Sequence, residues 1–306
     1  MPARLDAQKR LDSEALPELP EVEVTRRAIE PLLVGRTVAD VRTTKKSYFF
    51  LTAPALLQKK LRGRRFVRLE RHGKYLIAHL DDGARLLLHL GMTGQLFGAG
   101  ATSVRLMRKT ARAALVPDAQ RRFVPDAHTH LRLSFADDGP EVLFRDVRKF
   151  GKVQHLPPGK KTARLDKLGP DALGVTGKLL FEATRRRKAS IKAVLLDQSV
   201  LAGVGNIYAD EACFIACVRP TRSAARLGRD DCGRLARALQ RVLARSIETG
   251  GSSISDFVHP DGSDGGYQDE RRVYGRKGEP CRRCGAAIRR VLVGQRSTHY
   301  CPGCQA

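Results

Sequence analysis

The sequence predicts an α+β protein built in two parts. Three observations carry that expectation. The first half holds short apolar stretches separated by glycine and Asp-Asp-Gly turns, after one leading amphipathic segment. The second half changes to helical spacing, and the C-terminus carries two Cys-x2-Cys pairs. With 306 residues, 42% of them hydrophobic, the chain can bury two modest cores.

The elements follow in order. Residues 20–34 carry Val22, Ile29, Leu32 and Leu33 at helical spacing, with Pro20 at the front and Gly35 behind, so a helix is expected there. RTVADVRT, RRFVRLERH, KYLIAHL and ARLLLHLGMTG then read as strands, and THLRLSF, EVLFRDV and GKVQHL continue the series. Between them, residues 98–127 are rich in Ala, Arg and Lys, fit neither period, and read as a long basic loop. Residues 157–175 read as a linker. TGKLLFEATRRRK, SIKAVLLDQSV, GNIYADEACFIA and DDCGRLARALQRVLARSIETGG read as helices, followed by the loop HPDGSDGGYQDE. The expected division is an extension at 1–16, a β domain at 17–156, the linker, a helical domain at 176–270 and a cysteine module at 271–306.

Charge narrows the function. Lys and Arg number 56 against 32 Asp and Glu, a net charge of +24. A surplus of that size points to a polyanion, nucleic acid first; a merely solvated basic surface is the bland alternative. No apolar run reaches the ~20 residues a membrane span needs, and the first residues lack the apolar core of a signal peptide. A cytoplasmic protein is expected. Seven cysteines, an odd number, argue against a disulfide framework.

Cys281 and Cys284 form one Cys-x2-Cys pair and Cys301 and Cys304 the other, with sixteen residues between. That spacing suits a four-thiolate zinc site, which leaves no open position and is therefore structural; two redox pairs are the alternative. The intervening segment reads as a basic hairpin turning near Gly294-Gln295. Cys213, Cys217 and Cys232 read as ordinary thiols in helices.

PELPEVE, HLGMTG, VGNIYADE, VYGRKGEPC and QRSTHYC occur in that order. On these motifs the chain, from about residue 17 to 306, resembles the formamidopyrimidine-DNA glycosylases. The resemblance implies an N-terminal β-sandwich with a flanking helix and a helical domain with a helix–two-turn–helix element and a zinc-ribbon hairpin. DNA would lie in the basic cleft between them. It implies a monomer that acts on duplex DNA containing oxidised bases, removing 8-oxoguanine and formamidopyrimidines and then cutting the strand by β,δ-elimination, with one structural zinc and no other cofactor. Pro17 matches the N-terminal proline whose amine forms an iminium with the sugar, and Glu18 the general acid–base group beside it. Lys74 matches a lysine on a β-turn that contacts phosphate and the damaged base, and Arg296 the hairpin arginine that grips the flanking phosphates. Met92, Arg148 and Phe150 match the side chains that fill the hole left by the flipped base, Arg148 facing the orphaned cytosine. His128, Lys188 and Asn206 match phosphate contacts, while His130 is expected to be structural. The related endonuclease VIII branch, which prefers oxidised pyrimidines, is the enzyme alternative; the loop after Asp256 would separate the two.

Two features depart from the family. The insertion 98–127 is long, and is expected to be peripheral and to add DNA affinity. The extension before Pro17 would leave its nitrogen an amide without a usable lone pair. Leu16 stands where the family has its initiating methionine, so a start at residue 16 is expected. Proteolytic maturation and a non-catalytic, zinc-containing damage-binding protein are the other readings.

Overall fold

The computed structural model describes residues 17–100, 123–253, 257, 259–260 and 263–306. The N-terminal extension, most of the basic insertion, and Asp256 at the start of the expected base-covering loop lie outside the described residues.

Pro20 and Glu21 set the start of helix α1 (Leu19–Leu33). Proline in the first turn forfeits no helical hydrogen bond, and the Glu21 carboxylate accepts from the Glu18 N–H at 2.9 Å. Gly35, at φ 85°, turns the chain out of the helix.

Two four-stranded antiparallel sheets follow. One has the order β1 (Val38–Thr43), β6 (Thr129–Phe135), β7 (Val142–Asp146), β5 (Gly94–Gly98). The other runs β2 (Phe66–His72), β3 (Tyr75–Leu80), β4 (Arg85–His89), β8 (Lys152–Leu156). Val41, Leu131, Leu133 and Phe144 from the first share one core with Leu69, Leu76, Leu86 and Val153 from the second, which makes the domain a sandwich. Helix α2 (Pro54–Leu61) adds Leu57 and Leu61 to that core. Its eight residues are too few to show a helical period against the strands around it.

The one strand expected over residues 84–94 is two strands in different sheets. The chain breaks after His89 because Gly91, at φ 67°, packs directly on the backbone of the loop before β8. A Cβ there would stand 2.4 Å from the Gly151 nitrogen.

Most of the second core comes from α3 (Gly177–Thr184), α4 (Ile191–Leu196), α5 (Asn206–Ile215) and α6 (Arg229–Glu248). Thr176 and Ser190 cap α3 and α4, accepting from the Leu179 and Ala193 N–H groups at 3.2 and 3.3 Å. Leu180, Ile207, Tyr208, Leu235 and Leu239 meet in the core. The stretch read as a linker holds a helical turn at Ala163–Asp166, and its Ala172 and Val175 are buried in the same core. The chain closes with a hairpin, β9 (Arg289–Val293) and β10 (Arg296–Tyr300).

Helix α1 belongs to both halves. Leu19 and Val24 sit in the helical core, while Val22, Ile29 and Leu33 sit in the sandwich core. Its N-terminus is thereby pinned at the seam. Among the described residues no helix is long and apolar enough to cross a membrane.

Candidate active site

The Leu19 N–H donates to the Gly203 carbonyl at 3.1 Å, which holds Pro17 and Glu18 against the start of α5. Both are buried, Glu18 to 2% exposure. Glu18 Oε1 accepts from the Ile207 N–H at 3.2 Å. A helix N-terminus offers unpaired N–H groups and a favourable dipole to an anion. Gly205 makes room for it, since a Cβ there would stand 2.0 Å from Glu18 Cδ. Glu18 Oε2 is buried with no hydrogen-bond partner among the described residues. Burial raises the Glu18 carboxyl to about 7; Lys74 and the Ile207 and Tyr208 amides pull it down, and Glu21 adds to the rise. Glu21 is itself buried. It accepts from the Tyr208 hydroxyl and from the Ser252 N–H at 2.9 Å, so it ties α1 to α5 and to the segment beyond α6.

Lys74 sits on the β2–β3 turn, which Gly73 makes at φ 55°. Asp171, from the segment read as a linker, holds that turn. It accepts from the Gly73 N–H at 2.9 Å and from Arg71 Nη2 at 3.0 Å, and Arg71 also reaches Glu23 at 3.1 Å. Gly73 lies so near Ala202 that an added Cβ would come within 2.9 Å of its methyl. Lys74 is partly buried. Desolvation lowers its pKa, the Glu18 and Glu21 charges raise it, and Arg296 lowers it.

Arg296 begins β10 after a two-residue turn, Gly294 and Gln295, at φ 53° and 63°. Two positive φ values mark the turn type whose twist matches a hairpin. The hairpin is anchored from α4 and α5. Lys192 Nζ donates to the Ser297 carbonyl at 2.7 Å and pairs with Asp210 at 2.7 Å, both side chains fully buried. Asp210 accepts from the His299 N–H at 2.7 Å. The next residue, Glu211, accepts from the N–H groups of Arg272, Val273 and Tyr274 at 2.9, 2.9 and 2.8 Å. The two adjacent acids of YADE thus fasten the cysteine module on both sides.

The Sγ atoms of Cys281, Cys284, Cys301 and Cys304 lie within 4.8 Å of one another. Cys284 and Cys301 are 3.4 Å apart and Cys281 and Cys304 3.9 Å. A tetrahedron of ~2.3 Å zinc–sulfur bonds needs ~3.8 Å between sulfurs, so the four fit one zinc ion and leave it no open position. Phe214 of α5 packs against Cys281, Cys301 and Ile288.

Glu18, Lys74, Asn206 and Arg296 line one cavity of about 420 Å³, together with Gly205, Gln198 and Gly294. Asn206 donates to the Tyr274 hydroxyl at 3.3 Å. Arg148 and Phe150 form a second group, and Met92 lies in the chain between Gly91, which packs on the Phe150 backbone, and Thr93, whose hydroxyl accepts from the Arg148 N–H at 3.1 Å. Buried Asp146 shapes this group, accepting from the Arg148 N–H at 3.2 Å, the Gly151 N–H at 2.6 Å and the Thr93 hydroxyl. Phe150 is 41% exposed and the Arg148 guanidinium lies 4.8 Å over its ring. His128 is partly buried at the start of β6, and its N–H donates to Asp126 at 3.0 Å. His130 is buried between Thr44 and the Asp146 carbonyl. Lys188 is exposed in the turn before α4.

The positioning residues Lys192, Asp210, Glu211, Asp171 and Asp146 were missed from sequence. For three of them a signal exists: Lys192 stands inside the apolar run IKAVLL and Asp210-Glu211 inside IYADEACF, where a charge has to find a buried partner.

Comparison with known proteins agrees with this geometry. Family models for the formamidopyrimidine-DNA glycosylase N-terminal domain, the H2TH domain of the same enzymes and the zinc finger found in FPG and IleRS match residues 16–153, 168–258 and 278–306. The chain is similar to a formamidopyrimidine-DNA glycosylase of Cupriavidus pinatubonensis, 42% identical over 304 residues, covering 95% of this chain and 100% of that one. The MutM (Fpg) protein of Thermus thermophilus superposes with a TM-score of 0.78 at 37% identity, covering 94% of this chain and 98% of that one. The Lactococcus lactis Fpg in complex with abasic-site DNA gives 0.77 at 34% identity, over 94% and 99%. Motifs, fold and relatives agree from end to end of the described chain, which belongs to the formamidopyrimidine-DNA glycosylase family.

Proposed function

We propose that the protein is a base-excision repair enzyme that removes 8-oxoguanine and formamidopyrimidines from duplex DNA and cuts the strand at the abasic site left behind. One observation carries the reading. A carboxyl group with a pKa near neutrality is buried at a helix N-terminus, next in the chain to Pro17 and in one cavity with Lys74 and Arg296. Relatives from L. lactis bound to abasic-site and Fapy-dG DNA support duplex DNA as the partner, and so does the net charge of +24. Such work on the genome implies the cytoplasm.

The chemistry follows from the residues. A free Pro17 amine attacks sugar C1′ and the glycosidic bond breaks, releasing the base. Glu18, protonated in part at neutral pH, delivers its proton to the ring oxygen, and the sugar opens to the Pro17 iminium. The resulting carboxylate rests on the Ile207 N–H. The iminium accepts electrons as a C2′ proton leaves and the 3′ phosphate departs, and a second elimination releases the 5′ phosphate. A terminal amine suits this task because its pKa is near ~8 against ~10.4 for lysine. Arg296 holds the flanking phosphates, and the zinc held by the four cysteines keeps the hairpin in shape. The family match that begins at residue 16 supports a mature chain with Pro17 at its front.

Borohydride reduction of the protein on an 8-oxoguanine duplex tests the reading. The expected product is a covalent adduct that mass spectrometry maps to a peptide beginning at Pro17. Tight binding without an adduct would instead support the damage-binding alternative.

A further inference from the structure

Tyr48 is 57% exposed, although the next two residues are buried, Phe49 at 0% and Phe50 at 6%. Phe49 explains the contrast. Its ring sits edge-on to Phe50 and Phe144 at 4.9 Å from each, and it packs on His130 at 5.1 Å. Backbone bonds of 3.0 and 2.9 Å stitch Phe49 and Leu51 to Val153 of β8. The turn is thus nailed into the sandwich core and presents Tyr48 outward from a fixed base.

Tyr48 faces the loop that carries Arg148 and Phe150. Its hydroxyl donates to the Arg148 carbonyl at 2.6 Å, and its ring lies 6.4 Å from that of Phe150. The Lys152 ammonium stands 5.0 Å from the Tyr48 ring centre, as the Arg148 guanidinium stands over Phe150. Two exposed aromatic rings, each beside a cation, suit contact with nucleic acid. The loop needs outside support. Lys149 has φ 58°, a left-handed conformation that a non-glycine residue keeps only when its surroundings impose it. Asp146 holds the Arg148 N–H from inside the domain, and Tyr48 holds the Arg148 carbonyl from outside.

We propose that Tyr48 is a positioning residue for reading the opposite base: its hydroxyl orients the Arg148 backbone and its ring buttresses Phe150. The proposal rests on the reading of Arg148 and Phe150 as the pair that fills the vacated stack. Its readout is the ratio of single-turnover excision rates for 8-oxoguanine opposite cytosine and opposite adenine. Tyr48→Phe keeps the ring and removes only the donor. It should lower that ratio about fivefold, the size of one net hydrogen bond, with melting temperature and zinc content unchanged. Tyr48→Leu should lower the ratio as well, and should weaken binding to a tetrahydrofuran-containing duplex about tenfold by removing the aromatic contact. Arg148→Ala is measured alongside. If it collapses the ratio while Tyr48→Phe is indistinguishable from the parent, the Tyr48 proposal is overturned and the Arg148 reading stands. If Arg148→Ala leaves the ratio unchanged, the Arg148 reading fails and takes this proposal with it.

Discussion

Glu18 shows how the chemistry of one side chain is changed by what surrounds it. An exposed glutamate is ionised near pH ~4.3 and a poor proton donor at neutrality. Here burial outweighs the helix N-terminus and the Lys74 ammonium, and brings the carboxyl to about 7. Lys74 favours the charged form, so its removal should raise the Glu18 pKa further. A carbon-13 titration of Glu18 in Lys74→Met, which needs no turnover, should place the midpoint above that of the parent. An unchanged or lower midpoint would mean that the two charges do not feel each other. Excision that depends on protonated Glu18 falls as pH rises through its pKa, so the descending limb of the rate profile should move up with it. That Glu18, Lys74 and Arg296 belong together was legible because each stands in a short motif, and the structure brings the three to one cavity. The rise at Glu18 was not, since it depends on Gly205 and Ile207, which lie far off in the chain and make their contact only on folding.

At the scale of elements, the hairpin that carries Arg296 is held by a buried ion pair as well as by its cysteines. Lys192→Met leaves Asp210 charged and unpaired in an apolar core, a loss of about 3–5 kcal/mol. Urea unfolding of the zinc-loaded protein should show it as a lower midpoint. Lys192→Met combined with Asp210→Asn should recover most of the loss, because asparagine carries no charge and still accepts from the His299 N–H. A double variant no more stable than the single one would refute this account. Strand existence was legible from apolar alternation and turn residues. The break at 90–93 was not, because HLGMTG continues the apolar run and only the close approach of Gly91 to Gly151 forces the turn. The anchoring acids of YADE were on view as charges in an apolar helix, but their partners, the backbone of 272–274 and of His299, follow only from the docked hairpin.

For the whole molecule, a net charge of +24 has to be measured as salt dependence to have meaning. If Lys74, Lys188 and Arg296 each contact a phosphate, as the family resemblance implies, the plot of log affinity against log salt should fall with a slope of about −3 or steeper, at ~0.9 per contact. A flat plot would return the charge to a solvated surface without a partner. The split into a β half and a helical half was legible from the change of period along the chain. That one helix serves both halves was not, since an apolar stripe shows that a face is buried and says nothing of how many neighbours bury it. Helix α1 has a consequence for fragments of the chain. With Leu19 and Val24 sunk in one core and Val22, Ile29 and Leu33 in the other, it is a keystone, and Pro17 and Glu18 stand at its N-terminal end. A piece of the chain that keeps only one of the two halves leaves part of the keystone wet and unsupported. A fragment that keeps only one half therefore cannot assemble the candidate site, which is complete only where both halves have closed around that helix.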